Sequence, residues 1–255
     1  DNNGLYVIQK LAEHKPHTPD ECSHESVSWK YWGDNTTLPT AEGHYYLVDD
    51  VTLGATTGVA YNNGAEVTIC LNGFTISGAG TGRVFRLSNG TTVHLCDCTG
   101  SGKITNTNNA KAGIAWIGQD AGDSAPGALN IYGGTFTGCN VGNDGALVYV
   151  DGGSFNLYGG TFTGNDCRIL YLNKGTMGIH GGTITNNTFG RRDGLVLRMS
   201  DGEFTMTGGE ITGGNFHVKT AGTNWLEAMR LVAMEKPALY RNIHKYALTV
   251  FDQAR

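Results

Sequence analysis

Asp144 and Asp166 occupy matching places in two glycine-rich phrases, and each is followed five residues on by a tyrosine, Tyr149 and Tyr171. Glycoside hydrolysis uses two carboxylates about 5 to 10 Å apart, one as acid and the other as base or nucleophile. Two aspartates on adjacent turns of a repeating coil would meet that spacing, so Asp144 and Asp166 are the catalytic candidates. The tyrosines extend into a column: Arg86, Trp116, Tyr149, Tyr171 and Arg198. Exposed rings offer apolar faces to the C–H faces of pyranoses, with hydroxyl and guanidinium groups at hand for hydrogen bonds. This column is the candidate platform for a polysaccharide or oligosaccharide. Two plainer roles compete with that chemistry. Stacked aromatics stabilise neighbouring strands, and acids such as Asp120, Asp123, Asp151, Asp193 and Asp201 are ordinary turn residues.

Other reactive types are sparse. Six cysteines do not make a disulfide scaffold in 255 residues, although an even number permits bridges. Cys70 aligns with Cys96 one repeat later. That pair admits a disulfide, two reduced thiols or, with His94, a soft-metal site. No CxxC pair or second histidine accompanies the last option, and no metal or cofactor is expected. A Thr-x-Thr column could order water as ice-binding surfaces do, but Lys103 and Glu210 interrupt it, and threonine is a common strand residue. No GxxxxGK[ST] loop or serine nucleophile elbow occurs, so phosphate and esterase chemistry have no motif. A net charge of −5 without a basic stripe argues against nucleic acid, and no apolar run is long enough to insert in a membrane. The opening "DNNGLYVIQK" lacks a basic segment followed by an apolar one, so the chain is expected to be either cytosolic or already trimmed.

The elements that must position these residues are written as repeats. "YGGTFTGCN" at 132–140 returns as "YGGTFTGND" at 158–166, and in looser form as "HGGTITNNT" and "TGGEITGGN". Their glycine pairs, Gly133/Gly134, Gly159/Gly160, Gly181/Gly182 and Gly208/Gly209, recur at intervals of 26, 22 and 27 residues. That period marks stacked supersecondary units. Within them apolar and polar residues alternate, the mark of strands. One inward column reads Ile76, Ile104, Phe136, Phe162, Ile184 and Ile211, and its neighbours are polar throughout. A second strand precedes it ("VTICL", "VHLCD", "LNIYG", "FNLYG", "MGIHG", "FTMTG") and a third follows a variable loop ("VFRLS", "VYVDG", "LYLNK"). Three short strands per coil predict an all-β, right-handed parallel β-helix of about six coils over 47–215, with rungs near 4.8 Å apart.

The ends differ. Residues 1–46 show no repeat and are expected to form an irregular N-terminal cap. Residues 216–255 carry a capping-box-like start at Asn224 and a proline at Pro237, predicting two α-helices. Covering the last apolar rung would make the molecule an end-capped monomer or a dimer.

The runs "LPTAEGHYYLVDDVTL", "VTICLNGFTISG", "VHLCDCTGSGKIT" and the "NLYGGTFTGN" coils resemble the parallel β-helix repeat proteins of anaerobic gut bacteria. The resemblance covers 38–215 and implies a secreted or cell-surface protein; some relatives of that fold cleave polysaccharides. The "NTD", "HG" and "RIK" arrangement of pectin-cleaving families is not present. The tail from "NFHVKTAGTNWLEAM" to "FDQAR" resembles the C-terminal end of a tagaturonate epimerase, which implies a chimeric chain. The expected function is thus polysaccharide binding, with hydrolysis at Asp144 and Asp166 if the chain is an enzyme. The alternative is a non-catalytic adhesin or spacer.

Overall fold

The computed structural model describes residues 28–54, 58–78, 82–106, 112–141, 145–188, 195–212 and 215–218. Among them every regular element is a strand, and every strand pairing is parallel. The strands stack into three faces of a solenoid of about six turns. The first face runs Trp29–Trp32, Gly43–Leu47, Glu66–Cys70, Thr92–Cys96 and Ala128–Ile131, then residues 154–157 and 176–179, then Glu203–Met206. The second runs Val51–Leu53, Thr75–Gly78, Lys103–Asn106, Thr135–Thr137, Thr161–Thr163, Thr183–Thr185 and Glu210–Ile211. The third holds Val59–Tyr61, Phe85–Leu87, Ala112–Gly118, the first halves of two longer strands, Leu195–Met199 and Asn215–Val218.

The alternation read from the sequence is the inward–outward alternation of the coil. Ile76, Ile104, Phe136, Phe162, Ile184 and Ile211 are register partners in turn, and none is more than 5% exposed. Val67 and Ile69, Val93 and Leu95, Leu129 and Ile131, and Phe155 and Leu157 fill the first face's interior without exposure. Each such side chain taken from water contributes about 1.5 to 3 kcal/mol. Phe136 and Phe162 meet at a centroid distance of 4.6 Å. Phe204 and Met206 are only partly buried, because they line the last described rung of that face.

Two details depart from expectation. Ala146–Leu157 and Arg168–Ile179 are continuous strands of 12 residues that pass from the third face to the first without a break. They bend at Gly152 and Gly175, whose φ values of 103° and 101° turn the chain, and the register between the two strands shifts there, from Asp151 opposite Lys174 to Ser154 opposite Thr176. Within the stretch expected to be an irregular cap, Trp29–Trp32 and Gly43–Leu47 pair in parallel and extend the first face, Trp29 opposite His44 and Gly43 opposite Val67. Aromatic side chains on both strand sides had hidden the alternation there. The two C-terminal helices and residues 1–27 lie outside the described residues.

The glycine pairs serve two separate needs. At Gly159, Gly181 and Gly208, a methyl group would run into the carbonyl oxygen of Tyr132, Tyr158 or His180 one rung away. The next residue, Gly160, Gly182 or Gly209, has φ between 76° and 89°, a conformation that costs other residues about 1 to 2 kcal/mol. The first glycine gives room alone, while the second gives the turn and room together, since a methyl there would meet a carbonyl oxygen at 2.6 to 2.8 Å. Gly181 lacks the positive φ, so Gly181→Ala isolates the steric part and should lower stability by about 1 to 3 kcal/mol. Gly133→Ala, where the nearest atom to a new methyl is Asp97 N at 3.1 Å, should cost less. Chemical denaturation of the two variants tests this order, and equal midpoints would refute it.

Candidate functional site

The predicted column assembles in register. Trp116 pairs with Arg86 on one side and Tyr149 on the other, Tyr149 with Tyr171, and Tyr171 with Arg198. The side chains then use one another. The Arg86 guanidinium sits 4.6 Å from the Trp116 ring centre and is bound through both nitrogens by the Asp120 carboxylate. Trp116 is only 9% exposed, folded over Gly118, so the open indole expected of a sugar platform is corrected to a covered one. Tyr149 and Tyr171 lie 4.8 Å apart at 37°, and Arg198 covers Tyr171 at 4.7 Å. The Tyr171 hydroxyl shares a hydrogen bond of 3.2 Å with Ser200. Burial, followed by the nearby Asp151 charge, raises the Tyr149 pKa and keeps its hydroxyl protonated. What faces solvent is a row of half-exposed side chains, Tyr149 and Tyr171 with the guanidinium groups of Arg86 and Arg198 at its two ends.

The acids around this column are engaged in turns. Asp144 and Asp193 lie outside the described residues, so the structure does not bring the Asp144–Asp166 pair together for measurement. Asp166 is exposed, pairs with Thr188 by a single bridge, and accepts from its hydroxyl at 3.3 Å. Asp123 accepts from the backbone N–H groups of Asp120 and Asn89 at 2.8 and 3.1 Å. These bonds, the Asp120 one foremost, hold its carboxyl below the usual range. That is the reverse of what a general acid needs. Asp151 accepts from Asn173 at 3.0 Å, and Asp201 from the N–H of Gly202.

A second aromatic column, on the first face, escaped the sequence reading. His94, Tyr132, Tyr158 and His180 stack with centroid distances of 6.0, 4.9 and 4.9 Å and interplanar angles of 22°, 8° and 19°. Near-parallel rings this close cannot lie side by side in one plane; they overlap face to face with an offset. His180 closes the column through Nδ1 and the Thr207 hydroxyl at 2.7 Å. The signal was present in the repeat, since Tyr132, Tyr158 and His180 are the residues immediately before the glycine pairs. Beside them the Asn156 amide donates to Asn130 at 2.9 Å. At another corner the buried Asn165 amide donates to the Phe136 carbonyl and to Asn187 Oδ1, both at 2.9 Å, while its own Oδ1 accepts from the Cys139 N–H. The threonine column is likewise in register, Thr135 beside Thr161 beside Thr183.

No disulfide joins the described cysteines. Cys70 and Cys96 are register partners as expected, but the thiol placed against Cys70 is that of Cys98, at 3.4 Å. His94 bonds to Glu66 at 3.0 Å, and among the described residues no group of three metal-ligating side chains forms. Burial pushes the Cys139 thiol up to about 12.

Against known proteins, the family match lies over the end of the chain. A profile of the tagaturonate epimerase family, UxaE, matches residues 204–255. Over 44 residues the chain is 50% identical to the tagaturonate/fructuronate epimerase of Thermotoga maritima, which is 17% of this chain and 9% of that enzyme. No solved structure matches. The family match opens inside the coil: Phe204 pairs with Met177, Ile211 with Ile184, and Asn215–Val218 with the third-face strand before it. From 219 onward it lies outside the described residues.

His94 generates a pH prediction. Burial lowers its pKa below 6.5, against the opposing pull of Glu66. The unfolded chain therefore takes up the proton more readily, so the contribution of neutral His94 is complete above about 6.5 and is lost as pH falls through the lower folded value. His94→Gln should flatten the fall in stability on that side of pH 6.5. Identical pH dependence in the two proteins would show that His94 is not responsible.

Proposed function

We propose that the coil is a non-catalytic scaffold, a spacer or adhesin segment of a secreted or cell-surface bacterial protein. One observation carries this reading: the outward columns are occupied rung to rung. Arg86 is held by Asp120, Trp116 lies under Arg86, and Tyr171 lies between Tyr149 and Arg198. Side chains that complete one another's contacts stiffen a stack, and six rungs of it span about 30 Å at one strand spacing each. The repeat phrases resembling gut-bacterial β-helix proteins support the surface location. The epimerase match supports a chimeric chain whose tail was joined within the last rung. A match to 9% of the enzyme does not extend its activity to this coil.

A second reading, polysaccharide binding on the third face, is favoured by the half-exposed edges of Tyr149, Tyr171 and Arg198 on three consecutive rungs. There the contacts would be hydrogen bonds from hydroxyl and guanidinium edges rather than ring stacking. Hydrolysis would add Asp144 and Asp166. A glycan array of plant and host polysaccharides, probed with the full chain, separates the readings. As a spacer the scaffold predicts no binding and no release of reducing sugar. Binding that disappears in Tyr149→Ala and Tyr171→Ala would overturn it in favour of the second reading, and sugar release abolished by Asp166→Asn would make the chain a hydrolase.

A further inference from the structure

Three sulfurs meet on the outside of the first face, away from the main core. Cys70 and Cys96 are fully buried there beneath Trp29, Tyr46 and Tyr132, and half-buried Cys98 packs against them. The aligned pair, Cys70 and Cys96, is badly placed for a bond. On in-register parallel strands the Cα–Cβ vectors run together, so the Cβ atoms stay near the strand spacing of about 4.8 Å, whereas a disulfide needs about 3.8 Å. Cys98 escapes this restriction, because it lies two residues past Cys96, where the chain has turned the corner. The Asp97 carboxylate fixes that corner by accepting from the N–H groups of Gly73 at 2.9 Å and Gly102 at 2.7 Å. The Cys98 thiol comes to 3.4 Å from Cys70 Sγ and 3.2 Å from Asn72 Oδ1.

We infer that Cys70 and Cys98 form a dithiol–disulfide site that staples two adjacent rungs, with Cys98 as the entry thiol and Cys70 as the resolving one. Exposure assigns the roles. An oxidant in solution reaches Cys98, while Cys70 and Cys96 are closed to it. With a low-molecular-weight disulfide such as oxidised glutathione, the Cys98 thiolate attacks one glutathione sulfur and expels the other as a thiolate. Cys70, after losing its proton, then attacks Cys98 Sγ and releases the second glutathione. Two protein thiols are oxidised, one glutathione disulfide is reduced to two thiols, and the two protons lost by Cys98 and Cys70 end on the expelled glutathione thiolates. The hydrogen bond with Cys70, and then burial, raise the Cys98 pKa, so formation of the bond accelerates at alkaline pH. Oxidation closes a loop 28 residues in span between the second and third first-face rungs above Trp29–Trp32.

The test uses the full chain incubated folded with oxidised glutathione, then blocked by alkylation, digested and sequenced by fragmentation mass spectrometry. The expected product is a peptide pair joined through Cys70 and Cys98, lighter by two hydrogens than the separate peptides, with Cys139 and Cys167 alkylated only after unfolding. It should persist in Cys96→Ala and vanish in Cys98→Ala, and the oxidised wild type should have a higher denaturation midpoint than the reduced form. Fragmentation of the wild-type product locates the bond without any variant. A bond mapped to Cys96, or unbridged Cys70 and Cys98 after incubation of folded protein, would overturn the inference.

Discussion

Parallel strands repeated at one spacing oblige every side chain to lie directly over its counterpart on the next rung. Inside the coil this stacks isoleucine on isoleucine and Phe136 on Phe162. Outside it stacks Tyr132 on Tyr158, Asn130 beside Asn156, and Tyr149 on Tyr171. The same spacing dictates the glycines, because a methyl at Gly159 or Gly181 would strike the carbonyl of the previous rung. Sequence repetition follows from that geometry: a residue that suits one rung suits the one above it.

The constraint also bears on function. A column of like residues at rung spacing resembles a ligand ladder in sequence, yet at 4.8 or 4.9 Å the rings are each other's ligands. Acids beside such columns are consumed in the same way, Asp120 by Arg86 and Asp123 by two backbone N–H groups. A surface built from such contacts is stiff, and it leaves free edges rather than free faces.

The inward columns and the coil were legible because alternation and period depend on residues near in sequence. Whether an outward residue is open or covered was not, because that depends on its neighbour one rung away and on its rotamer. Trp116 was read as an exposed ring and is covered by Arg86 and folded over Gly118. Cys96 was the aligned partner of Cys70, yet the sulfur meeting Cys70 is that of Cys98, since a corner lets a side chain swing where a strand does not. Trp29–Trp32 was passed over because aromatic residues occupy both strand faces and erase the alternation. Tyr132, Tyr158 and His180 stand in the phrases "YGG" and "HGG", but that their rings meet, with His94 at one end, depends on contacts between rungs.

The central claim is that outward aromatic residues serve the stack itself. A double-mutant cycle on Tyr132 and Tyr158, each replaced by leucine, measures it by chemical denaturation. Leucine keeps much of the apolar area and removes the ring-on-ring contact, so the account predicts a favourable coupling of about 0.5 to 1.5 kcal/mol. Strictly additive losses would contradict it, because the two rings would then stand independently on the surface and be open to another molecule.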